Sequence, residues 1–374
     1  MALLWCEGFD HYGGDKDKLA EGPWAQVDTS FSEFTIDQTI VRTGNNSLKH
    51  EQIVNGVAKI ARRVLGGEKT GVGVGCAVYY DALPSQNDES VIVDFRDAGN
   101  RPLISIVCNS TGTLQVTRGD GVDGTVLGTT ATPVIVAQAF QHIEVQVVVS
   151  ATVGAVEVRV NGITRIALSS INTIASASEL NDFSTNGETN VAQVAFCGGC
   201  NTFSLNNLGN INVYWDDVYA YDFLGAYNNT WLGDRRVYTL YPNNDTAQAD
   251  WTVVGAPNPY EAIDSPLNDS TYIRAPLPGS PDELRSDFEL DPLPQSTGLV
   301  AGIMLTQRAR KNEAGAADIK SGIISDGIEA EGVVHPINPV FTYHDDVFQF
   351  DPATGGAFTT DAINALKVKT SRIS

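Results

Sequence analysis

The sequence predicts an all-β protein built from two antiparallel β-sandwich (jelly-roll) domains. Three observations predict it. The chain carries many short runs of β-branched and aromatic residues, turn residues separate them, and no amphipathic helical pattern lasts beyond a turn or two. Glycine is abundant, at 35 of 374 residues, and Ser, Thr and Asn are plentiful. Long helices would need more Ala, Glu, Lys and Leu at helical spacing. The stretch Asn212–Asp245 marks the division, into domains 1–225 and 226–374. It alternates as a strand through Trp215, Val218 and the tyrosines, loops at Gly225, Asn228 and Asn229, and resumes as a strand-like run from Arg235 to Tyr241. Pro242 and an Asn-Asn-Asp turn end that run.

Leu3 to Cys6 is the first strand, and Ser47 to Val54 follows the turn Thr43-Gly-Asn-Asn46. Val72 to Tyr80, Val91 to Phe95, Leu103 to Cys108 and Leu114 to Arg118 are the next strands. Phe140 to Ser150 and Ala155 to Val160 read as a hairpin, with Val145, Val147 and Val149 and then Val156, Val158 and Val160 on one face. Glu144, Gln146, Glu157 and Arg159 take the other face, and Glu144 and Glu157 are expected in solvent. Asn161-Gly162 is a type I′ turn signal into Ile163 to Leu168. Residues 169–190 read as a loop, and Val191 to Phe196 and Ile211 to Tyr221 complete this half.

In the second half, Trp251 to Val254 precedes a Pro-rich polar stretch. Gly298 to Ala309 is a strand, and Lys311 to Gly315 reads as the hairpin turn into Ile319 to Ile324. Val340 to Tyr343 and Val347 to Phe350 are further strands. Thr360 caps a helical turn through Leu366, and Lys367 to Ile373 is the last strand.

Composition bounds the function. With 45 acidic against 24 basic residues the net charge is −21, which repels phosphate backbones and anionic membrane surfaces. No nucleic-acid or membrane partner is therefore expected. No apolar run approaches the roughly 18 residues that span a bilayer. The start, Met1-Ala-Leu-Leu-Trp-Cys6, lacks the basic and apolar pattern of a signal peptide, so synthesis in a cytoplasm is expected. Five cysteines, an odd number, fit a reduced compartment.

The chemistry-bearing motifs are sparse. A glycosidase strand with two glutamates flanking an aspartate is missing. Cys197-Gly-Gly-Cys200 is a CxxC with no second pair and no HxxxH, and reads as a loop with incidental thiols. Cys76 and Cys108 lie in apolar strands and are expected in the core. Gly66-Gly-Glu-Lys-Thr70 fails the phosphate-loop spacing. His344 beside Asp345 and Asp346 reads as loop-end polarity. Asp216 and Asp217 are the best metal candidates, since paired carboxylates at a strand end can hold Ca²⁺. Strand alternation explains them equally, with one carboxylate outward and one satisfying a loop. The chain is expected to be no enzyme and to carry no cofactor.

The pairing of Trp215-Asp-Asp-Val-Tyr-Ala-Tyr-Asp222 with Leu232-Gly-Asp-Arg-Arg-Val-Tyr-Thr-Leu-Tyr-Pro242 resembles a family of bacteriophage virion structural proteins. So do Leu4-Trp-Cys-Glu-Gly-Phe-Asp-His-Tyr-Gly13, Phe140-Gln-His-Ile-Glu-Val145 and Val156-Glu-Val-Arg-Val-Asn-Gly162. Further matches are Tyr260-x-x-Ile-Asp264, Asp269-Ser-Thr-Tyr-Ile273, Arg308-Ala-Arg-Lys-Asn312 and Asp351-Pro-Ala-Thr-Gly355. Phe358 stands where the family pattern has Trp. The resemblance covers most of the chain and is strongest at 212–273 and 300–366. It implies an N-terminal concanavalin A-like, laminin-G-like sandwich. It also implies a place in the virion as a minor tail, fibre-associated or capsid-surface (decoration) protein, acting through contacts with other virion proteins and with copies of itself. The alternative is a carbohydrate-binding adhesin for a host-surface glycan, with Tyr12 and the loop Asn228-Asn-Thr-Trp231 as candidate contacts.

Overall fold

The computed structural model describes residues 2–26, 34–51, 61–85, 89–119, 121, 124–180, 189–196, 211–265, 269–275, 284–294, 298–312 and 314–373. They divide into two compact units: Met1–Phe9 with Gly14–Val237, and Asp10–Gly13 with Tyr238–Ser374.

In chain order the first unit contains β1 (Leu3–Glu7), β2 (Trp24–Gln26), β3 (Phe34–Asp37), β4 (Ser47–Glu51) and β5 (Ala61–Lys69). Then come β6 (Gly71–Tyr80), β7 (Glu89–Arg96), β8 (Pro102–Asn109), β9 (Leu114–Arg118) and β10 (Thr125–Thr129). The hairpin β11 (Gln141–Val148) and β12 (Gly154–Val160), β13 (Ile163–Ile171), β14 (Val191–Phe196) and β15 (Asn212–Asp222) complete it. One sheet runs β13-β12-β11-β6-β15-β4-β3, with β1 also on β15. The other runs β10-β9-β8-β7-β14-β5-β2. All pairings are antiparallel. This is the all-β sandwich that the alternating pattern predicts. Val74, Cys76, Val78, Val145, Val147 and Val158 form the buried inner face of the first sheet, at 0–1% exposure. Each such side chain contributes roughly 1.5–3 kcal/mol by burial, which makes this register strongly preferred. Asn161 and Gly162 both take positive φ, at 50° and 77°, as the type I′ turn requires.

In the second unit the strands are β16 (Pro242–Ala249), β17 (Thr252–Val254), β18 (Tyr272–Arg274), β19 (Leu284–Leu290), β20 (Leu299–Val300) and β21 (Ile303–Ala309). After these come β22 (Asp318–Ser325), β23 (Ile328–Pro336), β24 (Thr342–Phe348), β25 (Phe358–Thr359) and β26 (Lys367–Arg372), with helix α1 (Thr360–Asn364) between the last two. A five-stranded sheet runs β16-β19-β26-β22-β23, beside the ladders β17-β18, β20-β25 and β21-β24. Phe288, Ile323, Phe348, Phe358, Ile363, Leu366 and Val368 pack as its core. The Thr359 hydroxyl caps α1 by accepting the Ala362 amide, one residue before the expected cap.

Several expectations for this half are corrected. Arg235–Tyr241 is no strand: it joins no ladder among the described residues, and its Val237 amide is held by the buried Asp217 carboxylate. Pro242-Asn-Asn-Asp245 begins β16 instead of forming a turn. Lys311–Gly315 is no hairpin turn, since β21 pairs β24, with Gln307 opposite His344, while β22 pairs β23 and β26. Gly298–Ala309 divides into β20 and β21, and the two runs around Tyr343 and Val347 are one strand, β24.

Candidate functional site

Strand β6 places Gly71, Gly73 and Gly75 on the outer face of the first sheet, alternating with the core valines. Neighbouring β15 presents Tyr219 and Tyr221 on that face, with Tyr219 opposite Gly75 and Tyr221 opposite Gly73, and Phe223 follows just beyond the strand. The three rings lie across the glycines, so that a Cβ at Gly71, Gly73 or Gly75 would fall inside the Phe223, Tyr221 or Tyr219 ring. Ring centroids are 6.2 Å apart from Tyr219 to Tyr221 and 6.3 Å from Tyr221 to Phe223. Glycine in a strand interior normally weakens it, and here it makes room for a close approach.

The ring hydroxyls reach β11. Tyr221 donates to Glu144 Oε1 at 3.2 Å, and Gln146 Nε2 donates to the Tyr221 oxygen at 3.0 Å. Tyr219 donates to the Gly233 carbonyl at 2.6 Å and lies 3.2 Å from His142 Nε2. Glu144 also accepts the Leu232 amide at 2.8 Å and the Gly233 amide at 3.0 Å. The segment 224–237 therefore crosses this face as a strap, pinned at its middle by one carboxylate. Glu144 is 2% exposed, so its expected place in solvent is corrected. It faces away from the valine core, yet the strap covers it.

A second anchor sits where β15 bulges between Asp216 and Tyr219. Asp217 takes φ 51°, and both aspartates are fully buried. Asp216 accepts the Arg42 and Thr43 amides at 2.7 and 3.0 Å on one oxygen and the Asp217 amide at 2.7 Å on the other. Asp217 accepts the Val237 amide at 2.8 Å, the Thr43 hydroxyl at 2.9 Å, and both the Arg42 and Arg236 guanidinium groups at 3.2 Å. Arg42 reaches on to Asp234 at 2.7 Å with one nitrogen between both carboxylate oxygens. A calcium ion does not fit these surroundings: the aspartate oxygens face N–H and O–H donors, and two guanidinium groups stand beside them. Neither aspartate points outward, contrary to the alternation reading.

Burial governs the titration of this face. It pushes Asp216 up to about 7, with the Asp217 charge adding to the rise and three backbone amides opposing it. Asp217 and Glu144 are raised by the same cause and lowered in part by the amides they accept. Burial depresses His142 to about 4, reinforced by Arg42 and Arg236 and opposed by Asp234. Tyr219 is raised well above its ordinary value. A neutral imidazole against a tyrosine hydroxyl, beside a buried carboxyl, is a set of groups able to pass protons. In the strapped arrangement its donors and acceptors hold the chain.

Beside the strap the outer face is open. A trough of about 240 Å³ lies over β11, β12 and β13, lined by Gln146, Glu157 and Ser169 with Val148, Leu168 and the Phe223 ring. Glu157 Oε1 accepts Arg159 Nε and the Thr164 hydroxyl, each at 2.9 Å. The Arg159 guanidinium in turn stacks 3.8 Å from the Trp231 ring centroid. Of the candidate glycan contacts, Trp231 is thus half-buried against Arg159, whereas Tyr12 is 1% exposed beside His11 and Tyr343 and does not face solvent. Cys197–Cys200 lies outside the described residues. Cys76 and Cys108 are buried as expected, and burial pushes both thiols up to about 12. The His344–Asp346 cluster is no loop end. It lies on β24, where Asp346 is buried, accepts the Ser321 hydroxyl and the Val333 amide, and meets His335 at 3.2 Å.

The sequence reading missed the tyrosine ladder, although its signal was present. Gly71-x-Gly-x-Gly75 and Tyr219-x-Tyr-x-Phe223 share one period of two, and rings on one strand need bare backbone on the next.

No family model matches the sequence, and no curated protein matches it. Solved structures with a similar fold include the cellulose-induced protein Cip1, at 18% identity, a TM-score of 0.36, and coverage of 50% of this chain and 84% of that one. The alginate lyase Aly36B is 12% identical at a TM-score of 0.38, covering 59% of this chain and 96% of that one. A carbohydrate esterase from the Shiga toxin-encoding bacteriophage phi24B is 10% identical at 0.37, covering 58% and 99%. The likeness concerns the sandwich alone. The expectation that the chain is no enzyme is corrected: alginate lyases, sialidases, a β-glucanase and an esterase are among the structures with a similar sandwich, so a missing strand motif is no ground for excluding one. That expectation came from seeking a carboxylate pair along one strand. Such a search is blind to a histidine and a glutamate from β11 meeting two tyrosines from β15.

Proposed function

We propose that the chain is a surface protein of a bacteriophage particle, working as a homo-oligomer among other virion proteins, and that its first unit holds a host-surface glycan. The observation that carries the glycan part is the open trough beside the strap. It offers a ring face at Phe223 and side-chain hydrogen-bonding groups at Gln146, Glu157 and Ser169. Sugars are bound by this combination, in which an apolar platform meets a few placed polar groups. The trough is also prepared in advance: Gln146 is oriented by Tyr221, which Glu144 orients in turn. The particle part rests on the sequence resemblance at 212–273 and 300–366. Closed symmetric contacts are the usual way in which such subunits meet.

The test uses purified particles. Mass spectrometry finds this chain in them, and particles carrying Gln146→Ala with Phe223→Ala adsorb to host cells more slowly. Particles without the chain refute the particle reading. Undiminished adsorption, together with no glycan bound by the isolated chain, refutes the glycan reading.

A further inference from the structure

We infer that the trough selects neutral, hydroxyl-rich glycans and rejects uronate- and sulfate-bearing ones, an inference that rests on the glycan reading above. Among the described residues no lysine or arginine lines the trough, and its one charged lining group is Glu157. Arg159, on the same sheet face, is already committed. Its Nε donates to Glu157 and its guanidinium is stacked on Trp231. Lys69, at the end of β5, is paired with Asp222, the residue before Phe223, at 3.1 Å.

The hydrogen-bonding inventory points the same way. Gln146 spends one N–H on Tyr221, which leaves one N–H and its carbonyl oxygen. Glu157 spends Oε1 on Arg159 and Thr164, which leaves Oε2 as an acceptor with no protein donor among the described residues. Ser169 accepts as readily as it donates. The charged group of this set accepts only, and it is complementary to ligand donors, namely sugar hydroxyls and acetamido N–H groups. A carboxylate or sulfate brings acceptors only, would lose its water, and would meet the Glu157 charge without a compensating cation. The net charge of −21 adds long-range repulsion of polyanions at low salt.

The experiment is calorimetric titration of the full chain at pH 7 and low salt. Dextran and N-acetylchitooligosaccharides are the neutral probes, and alginate and heparin the anionic ones. Binding of a neutral probe, with anionic affinity at least tenfold weaker, is the expected result. Anionic binding equal or stronger overturns the inference and leaves the glycan reading standing. Binding of neither class overturns the glycan reading, and the inference with it. Glu157→Gln, with its thermal unfolding matched to the parent, is expected to weaken neutral binding roughly tenfold by trading a charged acceptor for a neutral one. Unchanged neutral affinity in this variant removes Glu157 from the site and overturns the inference.

Discussion

Carboxylates stabilise each unit of this chain internally, and they do so by opposite physics. On the outer face of the first unit, Glu144, Asp216 and Asp217 are buried and accept backbone amides of the strap and of residues 42 and 43. Their pKa values move up. On the five-stranded sheet of the second unit, Glu329 and Glu331 are more than one-third exposed and pair with Lys369, Lys320 and Arg285. Theirs move down, Glu331 to about 2, because hydrogen bonds from Lys369 and Arg285 to Glu329, and from Lys320 and Lys369 to Glu331, outweigh the desolvation. The comparison teaches that a buried carboxylate aimed at backbone N–H groups fixes the course of a chain that has no ladder of its own. A surface carboxylate between lysines only trims the energy of strands already paired. Removing the first kind leaves orphaned amides, whereas removing one of the second leaves the Lys369 ammonium its other glutamate.

The largest expected effect comes from filling the glycine row. Gly73→Val places a branched side chain where the Tyr221 ring lies. The ring cannot leave without freeing Glu144 and Gln146, so a loss of about 3 kcal/mol or more is expected for the first unit. Urea denaturation followed by tryptophan fluorescence measures it. Gly327→Val is the contrast in the second unit, at a turn where a Cβ meets open space but φ is 77°; it is expected to lose about 1 kcal/mol from backbone strain alone. Equal losses at the two positions would break the account of the ladder.

Next is the anchor itself. Glu144→Ala leaves the Leu232 and Gly233 amides and the Tyr221 hydroxyl without their acceptor, and a loss of about 3 kcal/mol is expected. Amide hydrogen exchange at Leu232 and Gly233 should accelerate in this variant while exchange along β11 stays protected. Uniform acceleration across both segments would mean that Glu144 supports the sheet and not the strap.

Much of this fold was legible in the chain, and the illegible parts share a cause. Strands buried on one face announce themselves, as Val145, Val147 and Val156, Val158 do, because alternation is a local signal. The edge strand β23 was not expected, since Ile328-Glu-Ala-Glu-Gly-Val-Val reads as polar and mixed. Its pairing with β22 is set by the two-residue turn Asp326-Gly327, where both residues take positive φ, at 45° and 77°. Arg235–Tyr241 misled in the other direction. Its β-like composition is real, but its partners are side chains some 20 to 90 residues earlier, Asp217 for Val237 and Glu144 for the adjoining Gly233. The Glu144–Tyr221–Tyr219–His142 group was invisible for the same reason, because two strands far apart in sequence create it.

Acid titration sharpens the comparison within the first unit. Asp216 titrates at about 7 in the fold against an ordinary 3.8, so between those values the folded protein holds a proton that the unfolded chain has released. Its contribution is complete below about pH 4 and is lost as the pH rises to about 7. His142 runs oppositely. It stays neutral in the fold down to about 4 against an ordinary 6.5, so its contribution is present above 6.5 and lost as the pH falls to about 4. The two largely offset each other. Relative to the parent, Asp216→Asn should gain stability with rising pH from 4 to 7, and His142→Gln should gain it with falling pH from 6.5 to 4. Each slope is at most about 1.4 kcal/mol per pH unit. Parallel profiles in the two variants would refute this opposition.

The smallest effect belongs to the exposed pairs of the second unit. Glu331→Gln removes a carboxylate that Lys320 and Lys369 approach at 2.6 and 2.8 Å. The Lys369 ammonium is buried but keeps Glu329 at 2.7 Å. With solvent screening of a group this exposed, a loss below about 1 kcal/mol is expected, shrinking further in 1 M salt. Because Glu331 titrates at about 2 in the fold, this contribution is present above its ordinary value of 4.5 and fades as the pH falls toward 2. That direction is opposite to Asp216, although both groups are carboxylates. Thermal unfolding across pH 2–5, resolved for the second unit, reads it out. If Glu331→Gln matched Glu144→Ala in size, exposure would not separate the two kinds of carboxylate, and the contrast between the units would fail.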